Sequence, residues 1–413
     1  MSKKTFSIIS LGCFRNTYDS EIVVRQFLDK GYSLKKDNKA DTLIINTCGF
    51  IKDAKEESIG IIEKALDLKK RKQVKEVIVF GCLVSRYKKE LKDFFPQVDQ
   101  WWPVLEFSRR FLKREKLTPP FIDFLKISEG CLNHCSYCAI PFIKGPLKSK
   151  PQDEILKEVR ALDKGGVREL NIIGQDITSW GKDLGVRGDL TYLLKNILKE
   201  LIHIKWVRLL YTHPRHFSDS LIDLFATSSK ICKYIDLPIQ HINDRILKLM
   251  NRDTSRKQIV DLIKKIRSKI PGCVLRTSII VGFPSESEKE FSQLLDFLEE
   301  TKFEKLGVFA FSREEGTFAH DCKGAVHHST TMRRYRQIMD LQRKISGEVS
   351  SKLIGKELDV LVQDQDNNIF IGRTQYDAFE VDGEVFINKK KLKIGDFYKA
   401  KIVDAYEYDL VGI

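Results

Sequence analysis

The sequence lacks the long hydrophobic runs that membrane proteins carry. No apolar stretch approaches about 18 residues, the length that suggests a membrane span. The start, Met1-Ser2-Lys3-Lys4, leads into a strand-like segment instead of a signal peptide. Nine cysteines among 413 residues are few, and they lie in motif-like settings that do not form a disulfide framework. We therefore expect a cytoplasmic protein of two or three domains, with thiolates available for metal.

Acidic residues are in the minority over most of the chain. The net charge is +14 and the sequence pI is near 9.2, which favours an acidic partner such as RNA or a ribonucleoprotein. Residues 353–413 differ, because eight Lys and Arg there face twelve Asp and Glu, a net charge of −4. The C-terminal part is therefore acidic, while the rest of the chain is strongly basic.

Three cysteines, Cys131, Cys135 and Cys138, form a C-x3-C-x2-C motif directly after the apolar run 121–127. Three neighbouring thiolates can hold three irons of a [4Fe-4S] cluster and leave the fourth iron open, whereas electron-transfer clusters take four cysteines. The alternative is a zinc site with His134 or a second cysteine pair as further ligands. His134 abuts Cys135, no second C-x2-C occurs, and the spacing is not a common zinc spacing. An iron–sulfur cluster with an open iron is favoured.

The first 117 residues alternate short β-branched runs with helical patterns. Runs at 6–11, 42–46 and 77–80 predict consecutive β–α units and a small, doubly wound parallel sheet. Asp19 or Ser20 is expected to cap the first helix.

Each of these strands ends at a cysteine, namely Cys13, Cys48 and Cys82. The carboxyl ends of parallel strands lie at one edge of a sheet, so these residues are expected to meet in one crevice. For any single cysteine, burial as a small hydrophobic residue is the commoner outcome. Three cysteines in the same strand-end setting, each beside a glycine, indicate a second three-cysteine cluster.

Further strand–helix repeats predict a β/α barrel or partial barrel, in which sites lie at the carboxyl ends of the strands. The C-x3-C-x2-C loop follows the first of these strands, as that rule requires. The candidate strands are 121–127, 169–173, 206–211, 234–237, 274–281 and 305–311. Polar groups at the mouth are expected from Gly174-Gln175-Asp176, Pro238-Ile239-Gln240-His241 and 282–286.

The last part of the chain turns to strand-like runs separated by turn signals. These runs lie at 358–362, 369–372, 385–387 and 398–403. They predict a small, OB-like β-barrel of about sixty residues.

The C-x3-C-x2-C loop resembles the signature of radical S-adenosylmethionine enzymes. The resemblance implies that Cys131, Cys135 and Cys138 bind a [4Fe-4S] cluster, and that its open iron chelates S-adenosylmethionine. It also implies four further residues at the cofactor. Tyr137 would contact the adenine and Gln240 the ribose, and Ile279 and Glu286 bound the segment that would support the adenine.

The segments SLGCFRN, NTCGFI and GCL, around Cys13, Cys48 and Cys82, resemble the N-terminal domain of methylthiotransferases within that superfamily. In that family these three cysteines bind an auxiliary [4Fe-4S] cluster that handles sulfur. The C-terminal barrel resembles a TRAM domain, which usually binds RNA. The resemblance covers the whole chain and implies three domains, over residues 4–117, 118–350 and 351–413.

Two branches of the family differ in substrate. The MiaB-type branch thiomethylates an isopentenylated adenosine in transfer RNA, and the RimO-type branch modifies an aspartate of ribosomal protein twelve of the small subunit. The segments 372–383, 46–51 and 174–176 resemble the second branch. An acidic barrel also suits a basic ribosomal protein better than a polyanion. We expect a monomeric enzyme without a membrane partner that acts on this protein as part of the ribosome and receives electrons from a reducing donor.

By the same resemblance, S-adenosylmethionine at the Cys131 cluster yields a 5′-deoxyadenosyl radical that removes hydrogen from the aspartate β-carbon. A second S-adenosylmethionine supplies methyl to sulfur on the auxiliary cluster, and the carbon radical attacks that sulfur. The protein's own part is binding and orientation, and no catalytic residue beyond the cluster ligands is assigned. The alternatives are the transfer-RNA enzyme and a non-enzymatic iron–sulfur redox sensor.

Some residues depart from the family pattern or have a structural interpretation. Lys144 and Lys150 replace arginines, which predicts weaker bidentate anion recognition or a solvated basic loop. Phe379 stands where the family has proline. Trp101-Trp102 is expected in a linker packed between domains. We expect structural roles for His213, His216, His241, Cys232, Cys273 and Cys322.

Overall fold

The computed structural model describes residues 3–37, 40–185, 188–389 and 391–413. They form three sheet-based units in chain order, together with a short two-stranded ribbon. Within these ranges, no helix is both long enough and apolar enough to span a membrane.

The N-terminal unit is a five-stranded parallel sheet in the order β2-β1-β3-β4-β5. Residues on alternate sides of β3 pack against helices on both faces: Ile44 lies with α1, and Leu43 and Ile45 lie with α2 and α3. The predicted doubly wound sheet is confirmed. Its elements are β1 (Thr5–Ser10), α1 (Phe14–Asp29), β2 (Ser33–Leu34), β3 (Thr42–Thr47), α2 (Lys52–Lys70), β4 (Glu76–Gly81), α3 (Cys82–Phe94) and β5 (Gln100–Trp102).

Two expectations about this unit are wrong. Helix α1 begins earlier than predicted, with Cys13 as its N-cap, because Gly12 turns the chain with a φ of 87° directly after β1. Asp19 and Ser20 are instead buried within the helix. The segment Trp101-Trp102 is not a linker but part of edge strand β5, whose pairing with β4 and buried Trp101 complete the sheet.

The central unit is an open sheet of six parallel strands in the order β6-β9-β10-β11-β12-β13, so the predicted partial barrel is confirmed. Its strands are β6 (Ile122–Lys126), β9 (Glu169–Ile173), β10 (Trp206–Leu209), β11 (Ile231–Asp236), β12 (Val274–Val281) and β13 (Lys305–Ala310), and the ribbon is β7 (Ser128–Glu129) with β8 (Lys148–Ser149). Its helices are α4 (Ile140–Lys144), α5 (Gln152–Lys164), α6 (Leu190–Glu200), α7 (Asp219–Thr227), α8 (Asp244–Leu249), α9 (Arg256–Lys269), α10 (Glu288–Thr301) and α11 (His328–Ser351). Three short 3-10 helices cover Ile177–Ser179, Pro214–His216 and Phe318–His320.

The C-terminal unit is a closed barrel in the order β14-β15-β16-β18-β17. The sequence predicted four of its strands but missed β18, because three residues are too few for an alternating pattern to be recognised. This strand pairs with both β16 and β17 and closes the barrel. The strands are β14 (Glu357–Asp366), β15 (Ile369–Thr374), β16 (Val385–Asn388), β17 (Phe397–Ala405) and β18 (Leu410–Gly412).

An apolar cluster joins all three units. Phe14 from α1 stacks on Phe124 of β6 with ring centroids 4.4 Å apart, and its ring centroid is 6.3 Å from that of Phe379. The Phe379 side chain is buried here, which explains how an aromatic ring fits where the family has proline.

Glu169 of β9 accepts from Arg208 at 2.9 Å and from Arg373 of β15 at 2.6 Å. The C-terminal barrel is therefore packed against the central sheet.

The two lysines after the cysteine loop are neither solvated nor available for anions. Lys150 is buried and donates to Glu158 at 2.7 Å. Lys144 pairs with Asp19 of α1 at 3.1 Å and with Glu129 at 3.5 Å. The expected solvated basic loop and the expected weak anion recognition by these lysines are both wrong. The reason is that a buried carboxylate of the chain needs a cation beside it.

Candidate iron–sulfur and cofactor site

The C-x3-C-x2-C loop connects β7 to α4 and is held by contacts with the chain around it. Gly130 starts the loop with a φ of 71°, and a Cβ there would lie 2.1 Å from the carbonyl oxygen of Pro146. The Ser136 amide donates to the Met250 carbonyl at 2.9 Å, and the Cys138 amide donates to the Cys135 carbonyl at 3.0 Å. The loop conformation is thus set by packing on the end of α8.

Two thiols of this loop, those of Cys131 and Cys138, are protonated unless a cation is supplied. Burial raises the pKa of Cys131, and it raises the pKa of Cys138 to about 12. Asn133 donates to the Cys131 sulfur from its amide at 3.4 Å and from Nδ2 at 3.5 Å. Arg252 donates to the Cys135 sulfur at 3.6 Å. The donors of Asn133 favour the Cys131 thiolate, and a bound metal would complete its ionisation.

The three strand-end cysteines are brought to one edge of the N-terminal sheet. Cys13 follows β1, Cys48 follows β3 and Cys82 is the first residue of α3. A Cβ on Gly12 would lie 2.9 Å from the Cys48 Cβ, and one on Gly49 would lie 3.0 Å from the Cys82 carbonyl carbon. The three loops therefore touch, and the two glycines permit the approach.

Asn16 ties these loops together through its buried side chain. Its Nδ2 donates to the carbonyls of Leu11 at 2.8 Å and Thr47 at 3.3 Å. Its Oδ1 accepts from the Cys82 sulfur at 3.7 Å. One side chain thus bridges the ends of β1, β3 and β4.

The chain ionises these three thiols unequally. Burial opposes ionisation of Cys13, but Arg15 donates to its sulfur at 3.3 Å, and the net effect is a lowered pKa. Burial raises the pKa of Cys48, and it raises that of Cys82 to about 12. Cys13 is the member of the set that the protein itself prepares for metal.

The donor chemistry of both sets fits an iron–sulfur cluster. All nine cysteines are free thiols, so no disulfide competes for them. Within the described ranges, no three His, Cys, Asp or Glu side chains are grouped to hold a metal ion. A cluster makes a different demand, because its thiolates bind separate irons and do not converge on one ion.

A cavity of about 370 Å³ lies at the carboxyl ends of the central strands, within the roughly 300–1,000 Å³ of small-molecule sites. Cys131, Cys135 and Cys138 line one side of it. Arg15 and Phe50-Ile51 of the N-terminal unit line another. The C-x3-C-x2-C set thus lines the cavity directly. The N-terminal unit reaches the cavity through Arg15 and Phe50, each two residues after a cysteine of the other set.

Of the four predicted cofactor contacts, two side chains line this cavity. Tyr137 does so from the cysteine loop, and Gln240 does so at a strand end where its backbone has a φ of 68°. Ile279 forms a bridge to Gln240, but its side chain packs in the core, while Ser278 and Ile280 beside it line the cavity.

Glu286 lies outside the cavity lining, in a buried network. It accepts from the Gly282 amide at 2.6 Å and from Arg334 at 2.7 Å, and it lies 3.2 Å from His241 Nε2. The geometry thus gives Glu286 the role of shaping the turn after β12.

The histidines near the strand ends divide into two kinds. His241 and His216 are hydrogen-bonded, and His216 Nδ1 lies 3.1 Å from Asp176. His213 lines the cavity and accepts from the Arg215 amide through Nδ1 at 3.2 Å, but its buried Nε2 has no hydrogen-bond partner among the described residues. Burial and the nearby Arg252 lower the pKa of His213 to about 3, so its imidazole is neutral.

Sequence reasoning missed the arginines of the cavity, Arg15, Arg252 and Arg276. Arg15 had a signal, since it lies two residues after Cys13 in a quoted motif. Arg252 and Arg276 had none, because helix and strand periodicity does not tell which arginine faces a cavity.

Comparison with known proteins agrees with this geometry. Residues 125–298 match the Radical SAM superfamily, residues 5–102 match the uncharacterized protein family UPF0004, and residues 354–413 match the TRAM domain. The cysteine loop, the partial barrel and the superfamily match define a radical S-adenosylmethionine enzyme.

Solved structures share the fold at low sequence identity. Radical S-adenosylmethionine methyltransferase TsrM from Kitasatospora setae superposes with a TM-score of 0.51 at 14% identity, over 76% of each chain. The cobalamin-dependent radical enzyme OxsB gives a TM-score of 0.51 at 10% identity, over 82% of this chain and 56% of that one.

Sequence relatives are much more similar. Ribosomal protein uS12 methylthiotransferase RimO from Chloroherpeton thalassium is 42% identical over 98% of this chain and 97% of its own. RimO from Thermoanaerobacter sp. (strain X514) is 43% identical over 99% of both chains. RimO from Clostridioides difficile (strain 630) is 41% identical over 98% of this chain and 97% of its own. The chain belongs to the RimO family of methylthiotransferases.

Proposed function

We propose that this protein replaces a hydrogen on the β-carbon of an aspartate in ribosomal protein uS12, protein twelve of the small subunit, with a methylthio group. The observation that carries the proposal is full-length similarity to RimO enzymes, at 42% and 43% identity. The cavity supports it, because the C-x3-C-x2-C set lines one side and Arg15 and Phe50, each two residues after a cysteine of the other set, line another. The reaction needs hydrogen removal and sulfur delivery at one carbon.

The proposed cofactors are two [4Fe-4S] clusters and S-adenosylmethionine. Cys131, Cys135 and Cys138 would hold one cluster, and Cys13, Cys48 and Cys82 the other. When bound, these groups supply a radical for hydrogen removal and sulfur for transfer.

The chain itself supplies binding and orientation around those groups. Tyr137 and Gln240 line the cavity near the cysteine loop and are the proposed side-chain contacts for the cofactor. Ile279 contributes through the backbone of β12, and Glu286 through the turn after it. Phe50-Ile51 line the cavity, and their apolar side chains would help to keep water from reactive species.

The acidic barrel is the proposed docking surface for uS12 on the ribosome. Its exposed carboxylates include Glu357, Asp359, Asp364, Asp366 and Asp404. Within the segment 372–383, Asp377 is buried and the Asp382 side chain is 6% exposed, so these two carboxylates are not part of the proposed surface. Complementary charge steers association, and a negative surface disfavours a polyanion such as transfer RNA.

The docking proposal has its own test. Asp364→Lys with Asp366→Lys should slow association with uS12 at low salt, and this effect should fade as salt screens the charges. Glu63→Lys with Glu90→Lys, at exposed positions of the N-terminal unit, is the matched control. Equal association rates for the two double variants would rule out the barrel as the docking surface.

The function is tested with anaerobically reconstituted protein, a reductant, S-adenosylmethionine and small ribosomal subunits. Mass spectrometry should find uS12 heavier by one methylthio group, together with 5′-deoxyadenosine. A redox sensor would give cluster signals that S-adenosylmethionine leaves unchanged and no 5′-deoxyadenosine. The transfer-RNA enzyme would give methylthio-adenosine in bulk RNA and leave uS12 unmodified.

A further inference from the structure

Arg15 lies where the N-terminal unit meets the cavity, and its side chain is held in one orientation. Its Nε donates to the Cys13 sulfur at 3.3 Å, and its Nη1 donates to the Gly174 carbonyl at 2.9 Å. Its guanidinium carbon lies 4.4 Å from the centre of the Tyr211 ring. Both Arg15 and Tyr211 line the cavity. These contacts fix a cation between the Cys13 loop and the mouth of the central barrel.

The guanidinium of Arg15 has hydrogen-bond donors left over. Of its five N–H groups two are used, so one on Nη1 and two on Nη2 remain. Among the described residues it forms no ion pair with a carboxylate. Arg15 is half-buried, and a half-buried cation with spare donors can bind an anion.

The other two arginines of the cavity are engaged differently. Arg276 is neutralised by Asp236, whose oxygen lies 3.1 Å from Nη1. Arg252 directs its two Nη nitrogens to the Cys135 sulfur and the Pro238 carbonyl, and its buried Nε has no partner among the described residues. Arg15 therefore differs from Arg276 in having no carboxylate at ion-pair distance among the described residues. It differs from Arg252 in having one Nη nitrogen, Nη2, without a hydrogen bond in the described part of the chain.

We propose that Arg15 binds the carboxylate of the substrate aspartate and thereby selects aspartate for modification. This inference rests on the proposed function. A guanidinium binds a carboxylate through two parallel hydrogen bonds, which fix its orientation as well as its position. The carboxyl carbon of aspartate is bonded directly to the β-carbon, so anchoring the carboxylate anchors the reacting atom. The bond from Arg15 to Cys13 places that atom beside the N-terminal cysteine set.

The test compares uS12 with a uS12 variant that has asparagine at the modified aspartate. Binding of each to the reconstituted full-length enzyme is measured anaerobically by fluorescence anisotropy. The enzyme without substitutions should bind the aspartate form of uS12 roughly 10- to 100-fold more tightly than the asparagine form, as expected for a hydrogen-bonded charge pair. Arg15→Gln should remove this preference by weakening binding of the aspartate form alone, and Arg15→Lys should restore part of it.

Arg25→Gln is the matched control, since Arg25 lies on the same helix and pairs at the surface with Asp29. It should keep the full preference for aspartate. The inference is overturned if Arg15→Gln keeps that preference, or if it loses cluster iron, which would assign Arg15 to cluster binding. If the enzyme without substitutions does not add a methylthio group to uS12, the proposed function is wrong.

Discussion

Individual cysteines have different surroundings, and these surroundings give separate roles to residues of one type. Cys13 has a lowered pKa because Arg15 donates to it, whereas Cys232 is buried in the core and its pKa is raised to about 12. Cys273 is likewise buried, with its pKa raised to about 12. Both fit the structural role expected of them, since an inert buried thiol is a small hydrophobic residue.

At this scale the first prediction concerns Cys131. Cys131→Ala should lower the iron content of reconstituted protein from about eight to about four per chain, because a three-cysteine set holds one [4Fe-4S] cluster. Formation of 5′-deoxyadenosine should stop. Cys322→Ala removes a thiol that donates to the Phe318 carbonyl at 3.5 Å, and it should change neither quantity. Full iron content in Cys131→Ala would contradict the ligand assignment.

A second prediction separates contact from backbone strain at Gly12. Gly12 and Gly31 have φ values of 87° and 86°, so alanine at either position should destabilise by about 1–2 kcal/mol. A Cβ at Gly31 meets nothing within 4 Å, whereas one at Gly12 meets Cys48. Only Gly12→Ala should therefore lose iron from the auxiliary set. Iron analysis and chemical unfolding measure the two effects, and equal iron contents would refute the predicted contact.

Among the elements, the starts of helices and the ends of strands carry most of the residues of the candidate site. The alternating pattern of β1, β3 and β4 was enough to predict where the cysteines lie, because parallel strands end at one edge. The same pattern did not reveal that α1 starts at Cys13, since a cysteine is not a typical capping residue. The start of α1 nevertheless decides where Arg15 points.

The loop after β13 joins the central unit to the N-terminal unit through Glu314. This buried carboxylate accepts from Lys55 at 2.9 Å and from Arg86 at 2.7 Å. Glu314→Gln should weaken this junction by about 3–5 kcal/mol, because it breaks a buried ion pair. Amide exchange in residues 50–55 should then become faster.

Glu315→Gln is the control for this third prediction. Glu315 is exposed, and only its backbone carbonyl accepts from Arg86, at 3.1 Å. The exchange rates of residues 50–55 should be unchanged in this variant. Equal rates in both variants would mean that Glu314 does not hold the two units together.

Across the whole molecule, the C-terminal barrel is part of the folded core and not a loosely attached module. Arg373 is buried against Glu169, and the Tyr234 hydroxyl donates to Asp382 at 2.8 Å. The segment 372–383, quoted for its resemblance to one branch of the family, thus packs against the central sheet. Its sequence pattern therefore has a structural reason within this chain.

The fourth prediction concerns the ion pair between these units. Glu169→Gln should destabilise the protein by about 3–5 kcal/mol, since it leaves two arginines buried without their carboxylate. Chemical unfolding of full-length protein measures the change. Glu357→Gln, at an exposed position of the barrel, should have an effect within about 0.5 kcal/mol.

The same pair has a defined pH dependence. Burial opposes ionisation of Glu169, but Arg373 and Arg208 outweigh it, so the pKa in the folded state is lowered. The stability that this pair contributes is present above the unfolded pKa of about 4.3 and is lost as pH falls through the lower folded value. Glu169→Gln should therefore flatten the acid limb of the stability curve.

The sequence by itself determined the three units, their order and the two groups of three cysteines. These features follow from local pattern: strand periodicity, the spacing within one loop, and the rule that parallel strands end together. Full-length similarity to RimO enzymes agrees with that interpretation.

Only the tertiary structure decided which side chains face the cavity and which ions are buried in pairs. Arg15 contacts Gly174, and Glu169 contacts Arg373, across 159 and 204 positions of the chain. Lys144 and Lys150 appear as a basic surface loop in the sequence and are buried pairs in the fold. The physical reason is that a buried charge needs an opposite charge beside it, and the tertiary packing decides which residue that is. The periodicity of a sequence indicates which side chains are buried, but not which residues they pair with.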